Sequence, residues 1–301
     1  MKAIVLPAYG DADRLELREM PEPKPGPDEV AVRVTAASIN PIDWKLRTGA
    51  MQKFMPLELP AVLGRDVAGT VAALGPGVTA FTVGARVLGL VKQGYAEIVV
   101  APIEAWAPVP AKLVLIDAAA LPLAVLTGAQ LAEEAVDARP GEVLLVTGAT
   151  GSVGRATVFA AKGRGARVYA GVRGVHRAEA ARLGADGVVA LDDPADVDRL
   201  PPLDAIADIV GGDAVKPVLG KVKPGGRIGS VVGEPPGAKE RGLSVRPMLT
   251  HPDPKRLAEL AQAVADGKLV IPVARRFPLG EVRQAHKLAE KGAGGKVLLT
   301  L

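Results

Sequence analysis

The chain contains no cysteine. Disulfides, thiolate nucleophiles and cysteine-ligated metal sites are thereby excluded. Histidine is nearly as scarce, with 3 in 301 residues. His176, His251 and His286 lie far apart without metal-ligand spacing. Each is expected to be an ordinary surface or satisfied histidine. Aromatic residues make up only 3% of the chain, and the basic residues are interspersed with acids to leave a net charge of +4. Nucleic-acid binding needs a basic cluster with stacking aromatics, so that class is not expected. No apolar run is long enough to span a bilayer, and MKAIVLPAYG lacks the pattern of a secretory signal. A cytoplasmic protein without a membrane partner is the expectation.

Apolar residues are plentiful at 49%, against 23% charged, which describes a globular chain long enough for two domains. Residues 2–6 read as a strand, and Leu15 and Leu17 alternate with charged neighbours as in a half-buried one. The proline-rich stretch 21–29 cannot be regular, because its prolines remove donors and fix φ. Val30, Val32 and Val34 alternate in a clear strand. Residues 38–49, SINPIDWKLRTG, read as a polar connection. Strands are expected at 66–73, 85–90 and 95–100, with Tyr95 opening the last as a core or rim aromatic. This first third predicts an antiparallel barrel. An alanine- and leucine-rich helical region follows from Asp117. Five apolar strands at 143–146, 167–172, 187–190, 205–210 and 227–232 then alternate with helix-length segments, a doubly wound parallel sheet. Helices at 254–265 and near 280–291 and strands near 270–274 and at 296–301 close the chain; these terminal strands can return to the first domain.

The most informative stretch is VLLVTGATGSVGRATVFAA, residues 143–161. A β-branched strand runs into glycines Gly148, Gly151 and Gly154, and small residues then recur at helical spacing. Such a turn lets a pyrophosphate approach the main chain of Gly148, Ala149, Thr150, Gly151, Ser152 and Val153 at a helix N-terminus. A second βα unit follows at once. Where an NAD site usually carries an acid for the ribose 2′-hydroxyl, 19 residues beyond Gly154 (173 − 154), this chain has Arg173, with His176 and Arg177 just after. A guanidinium there suits a 2′-phosphate, with no carboxylate opposing it. The reading is NADP(H); the alternative is a solvated surface arginine. Gly211 and Gly233 follow the fourth and fifth strands, at the carboxyl ends where ligands of open α/β sheets bind.

The order of the blocks SINPIDWKLRTG, LGRDVAGTVAALGPGV, ALPLAVLTGAQLA, VTGATGSVG, KPGGRIGSVVG and GGKVLLTL resembles the medium-chain dehydrogenase/reductase superfamily. Within it, the chain is most similar to the zinc-free quinone oxidoreductase branch, the ζ-crystallin-like and alkenal reductase group. The resemblance implies an α/β protein with a GroES-like β-barrel catalytic domain, residues 1–115 and 250–301, and a Rossmann domain, residues 116–249, between the two parts of the barrel domain. It further implies a homodimer, and residues 243–245 are a candidate edge strand for it. Zinc alcohol dehydrogenases have a cysteine ligand about where Asn40 stands, and their GHE block reads Gly64-Arg65-Asp66 here. No catalytic or structural zinc is expected.

Without a Lewis acid, hydride addition to a conjugated acceptor is less demanding than alcohol oxidation, because the developing charge is delocalised. The expected activity is NADPH-dependent reduction of a quinone or α,β-unsaturated carbonyl. An enoyl thioester is an alternative substrate, and a non-catalytic NADPH-binding or sensing protein an alternative role. Asn40 is the candidate catalytic amide, donating to substrate or cofactor; alternatively it caps the turn before Pro41. Asp43 is a supporting acid beside it. Thr127 matches the family threonine near the nicotinamide; alternatively its hydroxyl bonds its own helix. Lys296 either reaches the cofactor or is a solvated lysine. A family tyrosine shortly after Arg47-Thr48-Gly49 is replaced by Ala50, Met51 and Gln52, so no proton donor is named.

Overall fold

Strands in the N-terminal segment form where apolar side chains alternate or run unbroken, as burial of one or both faces requires. The computed structural model describes residues 1–301. Its first elements are β1 (Lys2–Leu6), β2 (Glu16–Glu19), β3 (Glu29–Ile39), α1 (Pro41–Arg47), β4 (Ala61–Val62), β5 (Asp66–Leu74), β6 (Arg86–Leu90), β7 (Ile98–Pro102), β8 (Trp106–Pro108) and α2 (Leu115–Ala118). The valines of β3 are buried, each at 4% exposure or less. At about 1.5–3 kcal/mol per buried side chain, they anchor the sheet.

Residues 38–49 correct the expected connection: they carry a helix. Pro41 starts α1, where its fixed φ and missing N–H cost nothing, and the Asp43 carboxylate accepts the Asn40 N–H at 2.8 Å. β7 also starts later than expected, at Ile98, because the residues before it bond to β1 instead, the Tyr95 oxygen accepting the Ile4 N–H at 2.8 Å and the Glu97 N–H donating to the Lys2 oxygen at 3.0 Å.

The chain continues with α3 (Pro122–Gln130), whose last turn winds as a π-helix over Leu131–Ala135. Next come β9 (Val143–Thr147), α4 (Ser152–Gly163), β10 (Arg167–Val172), α5 (Arg177–Ala180), β11 (Gly187–Ala190), α6 (Pro194–Asp198), β12 (Leu203–Asp208), α7 (Lys216–Leu219), β13 (Val222–Ser230) and β14 (Ser244–Pro247). These strands form a parallel sheet in the order β11-β10-β9-β12-β13-β14. The order reverses at β9, so the topological switch point lies at the strand that feeds the glycine turn. The helices α5, α6 and α7 are single turns, shorter than the expected helix-length connections.

The last elements are α8 (Pro254–Ala265), β15 (Val273–Pro278), α9 (Val282–Glu290) and β16 (Lys296–Thr300). Asp253 accepts the Arg256 N–H at 2.9 Å and starts α8. β16 pairs antiparallel with β3, and β15 lies parallel beside it, so the C-terminal strands extend the sheet of the N-terminal segment.

Two compact units result: Met1–Leu123 with His251–Leu301, and Ala124–Thr250. The core of the first gathers Leu6, Val32, Val67, Tyr95, Trp106 and Leu299; that of the second gathers Leu145, Leu203, Ile206, Val218 and Ile228. No helix is long and apolar enough to cross a membrane.

Candidate functional site

In the first unit, three strand ends converge. β3 delivers Ser38 and Asn40, β5 opens with Asp66 opposite Ser38, and β16 opens with Lys296. Asp66 is fully buried and acts as the hub. Its Oδ2 accepts from Ser38 Oγ (2.7 Å), Asn40 Nδ2 (2.8 Å) and Lys296 Nζ (3.4 Å). Its Oδ1 accepts from the Leu123 N–H at 2.6 Å. Lys296 Nζ also donates to Asn40 Oδ1 at 2.6 Å. An ammonium only donates, so the lysine sets which end of the Asn40 amide is oxygen.

Two sequence readings are corrected here. Lys296 is not a solvated lysine, being 6% exposed. The Asn40 side chain does not cap α1, because its amide is committed to Asp66 and Lys296. One Nδ2 proton of Asn40 and one Nζ proton of Lys296 remain for a ligand.

Asp43 lies beside this cluster and is fully buried. Its Oδ2 accepts from the Asn40 N–H (2.8 Å) and the Tyr95 hydroxyl (3.0 Å), while Oδ1 has no partner. Burial pushes the carboxyl up to about 6, the Asn40 bond opposes this, and the nearby Asp66 adds to it. Burial, then the charge of Asp43, raises the Tyr95 phenol. Behind Tyr95, His286 meets its ring edge-on at 5.8 Å and is itself fully buried, which overturns the surface reading of that histidine. Its Nδ1 lies 3.1 Å from Arg47 Nη1, which also pairs with Glu290 at 2.7 Å. Burial, with the Arg47 charge adding to it, pushes the imidazole down to about 3. It is therefore neutral at neutral pH and a poor acid. No three His, Cys, Asp or Glu side chains gather to hold a metal ion.

In the second unit, β9 turns at Gly148, whose φ of +62° suits glycine. A Cβ on Gly154 would stand 2.2 Å from the Gly148 carbonyl oxygen, so only glycine lets α4 pack this closely on the turn. Gly151 is the N-cap of α4 and offers no side-chain acceptor, leaving the N–H groups of Ser152 and Val153 for an anion. A cavity of about 610 Å³ opens here. Gly148, Thr150, Gly151 and Arg173 line it among apolar side chains such as Val172 and Leu191. Ala149 is buried beneath the turn. Backbone donors, an apolar wall and a guanidinium fit a dinucleotide.

Three other positions differ from expectation. Arg177 does not line the cavity, because Asp196 holds its guanidinium. His176 does, with Nε2 at 3.3 Å from Arg173 Nη2. Asp192 lines it too, accepting the Gly174 N–H at 2.8 Å, so a carboxylate does share the pocket with Arg173. Gly211 (φ +72°) donates its N–H to Asp208 at 3.0 Å, and Gly233 (φ +100°) follows β13; neither lines the cavity. Thr127 is 6% exposed and bonds the Thr250 hydroxyl at 2.6 Å instead of its own helix.

Sequence reasoning missed Asp66, Ser38, Arg47 and the buried pair Thr147–Asp208 (2.8 Å). The available signal was a carboxylate adjoining an apolar strand run, as at Asp66-Val67-Ala68 and Ile206-Ala207-Asp208. An acid placed there needs buried partners.

A family model for the alcohol dehydrogenase GroES-like domain matches residues 26–111, and one for zinc-binding dehydrogenases matches residues 183–299. A 2-haloacrylate reductase from Burkholderia sp is 31% identical, over 95% of this chain and 94% of its own. A quinone oxidoreductase from Rattus norvegicus is 28% identical, over 100% of this chain and 98% of its own. The solved quinone oxidoreductase from Coxiella burnetii superposes with a TM-score of 0.88 at 30% identity, covering 100% of this chain and 99% of that one. The chain belongs to the medium-chain dehydrogenase/reductase superfamily, in its quinone oxidoreductase branch, and is an oxidoreductase that works with a nicotinamide cofactor.

Proposed function

We propose that the enzyme binds NADP(H) and reduces a quinone or α,β-unsaturated carbonyl without a metal. The observation that carries this reading is the Asn40–Asp66–Lys296 cluster, a set of hydrogen-bond donors in a unit with no metal-ligand set. When bound, the nicotinamide supplies hydride. The protein's share is positional and electrostatic. Asp66 and Lys296 fix the Asn40 amide in one orientation, so its free Nδ2 proton is preorganised toward an oxygen that gains charge. The neighbouring Lys296 ammonium adds positive potential without delivering a full charge to solvent. That donor strength suits a delocalised enolate or quinol better than a localised alkoxide. The 2-haloacrylate named for one relative and the quinones named for the others are conjugated acceptors of this kind.

The glycine turn, with the N–H groups of Ser152 and Val153, holds the pyrophosphate, and Arg173 holds a 2′-phosphate. Thr127, Gly211 and Gly233 lie outside the cavity at that turn, and we assign them to the part of the cofactor that extends beyond it. Asp192 supports a second reading, because its carboxylate suits the 2′-hydroxyl of NADH. Arg173→Ala decides between them by fluorescence titration of both cofactors. NADP(H) predicts at least a tenfold loss for NADPH, the size of one charge-assisted hydrogen bond, with little change for NADH; equal losses favour the second reading. The enzyme works in the cytoplasm as a homodimer that covers the exposed edge of β14, and a monomer in sedimentation would overturn that assembly.

A further inference from the structure

The first unit contains a second polar feature outside the Asn40 cluster. Backbone bonds from Val91 N–H to the Arg65 oxygen (2.8 Å) and from Gly94 N–H to the Gly64 oxygen (3.0 Å) hold residues 92–93 against residues 64–65. Arg65 and Lys92 therefore face one space. They line a cavity of about 870 Å³ and also an adjoining apolar one of about 820 Å³, standing where the two meet. The second is walled by Val62, Leu90, Ile98 and Val99.

Arg65 Nε is buried and has no hydrogen-bond partner. A charged donor in that position needs an acceptor, and a lone one costs about 1–3 kcal/mol. No protein carboxylate pairs with Arg65 or Lys92. Of the acids lining the larger cavity, Glu19 lies 3.7 Å from the N-terminal amine, and Glu58 pairs with no cation. Arg18 on the same wall is already paired with Glu16. Arg65 and Lys92 are thus two cations without a protein ion-pair partner at the junction of the two cavities, an arrangement in which one carboxylate can be held by both. Gln93, at the same rim, sits at φ +60°, a conformation unfavourable for a non-glycine residue and one that clusters at ligand sites.

We infer that Arg65 and Lys92 form an anion subsite that selects acceptors bearing a carboxylate, with the acceptor's apolar body in the adjoining cavity. This rests on the reductase reading for its consequence, and deepens it by naming a substrate class. A guanidinium receives a carboxylate through two parallel N–H bonds, and an ammonium adds a point charge. A phosphate shares the chemistry, but it brings no apolar body to fill the adjoining cavity walled by Val62, Leu90, Ile98 and Val99.

The test uses a matched pair of enones: 4-oxopent-2-enoate and its methyl ester, with NADPH as donor. The acid is expected to exceed the ester at least tenfold in kcat/KM, mainly through KM. Arg65→Gln brings the ratio of acid to ester toward one, and Arg65→Lys restores part of it. The ratio within one variant is insensitive to how much protein is folded. Binding is measured separately by calorimetry with levulinate, methyl levulinate and inorganic phosphate. Levulinate binding that is lost in Arg65→Gln, with weaker binding of ester and phosphate, supports the subsite even if no acceptor turns over; that result would sink the reductase reading alone. Equal binding of levulinate and its ester overturns the subsite, as does an acid-to-ester ratio unchanged by Arg65→Gln. Phosphate binding tighter than levulinate overturns the carboxylate assignment.

Discussion

Replacing Asp66 with asparagine keeps the shape of the hub and removes its charge. In the native protein this carboxylate accepts four hydrogen bonds, from Ser38, Asn40, Leu123 and Lys296. An asparagine oxygen can still serve the Leu123 N–H. Its amide nitrogen then faces the Asn40 amide and the Lys296 ammonium, both donors, and only the Ser38 hydroxyl can turn to accept. Lys296, 7% exposed in its side chain, is left without its counter-charge. Breaking a buried pair from one side costs about 3–5 kcal/mol. Urea unfolding followed by tryptophan fluorescence reads this directly, because both tryptophans, Trp44 in α1 and Trp106 in the core, belong to the first unit. Lys296→Met provides the control. With the cation gone, Asp66→Asn should cost less, giving a coupling of about 1–3 kcal/mol between the two sites. A loss below about 1 kcal/mol for the single variant, or strict additivity in the double, would refute the hub.

Other expectations follow from the same geometry. Gly154→Ala forces its Cβ against the Gly148 carbonyl oxygen and the Ala149 backbone, neither of which can swing away. We expect about 1–3 kcal/mol of destabilisation and at least a tenfold loss of cofactor affinity, read by unfolding and by titration. Asp43 and His286 give stability opposite dependences on pH. The Asp43 carboxyl is raised from 3.8 to about 6, so the native state keeps a proton the unfolded chain has lost. Its contribution is full below the unfolded value and fades as pH rises to about 6, by about 3 kcal/mol. His286 is depressed from 6.5 to about 3, so its contribution is full above 6.5 and is lost as pH falls toward 3. Asp43→Asn should abolish the first slope and His286→Gln the second, in urea unfolding from about pH 4 to about pH 7. An unchanged slope in either variant contradicts the corresponding burial argument.

Local pattern made much of this fold legible. The alternation at Val30, Val32 and Val34 located β3, and the apolar run before Gly148 located β9, because strand burial leaves a period in the sequence. α8 was found at its observed limits because Pro254 follows the capping Asp253. α1 was missed although its signals stood in plain view. Asn40, Pro41 and Asp43 form a helix start, but the seven-residue helix is too short to show an apolar face. The buried site was legible only in part. Asn40 and Lys296 were named singly, while Asp66, which joins them, was passed over. That junction depends on strand pairings across 256 residues, and no local pattern records it. The presence of Asp192 in the same pocket as Arg173 was not legible for the same reason, because it comes from the following βα unit.

The most direct test is oxidation of NADPH, and separately of NADH, against a series of quinones and conjugated enones, repeated with a chelator and with added zinc. Acceptor-dependent turnover that prefers NADPH and is indifferent to both additions is the expected result. Turnover that a chelator abolishes and zinc restores would contradict it, as would a binding-competent protein that oxidises NADPH with no acceptor in the series.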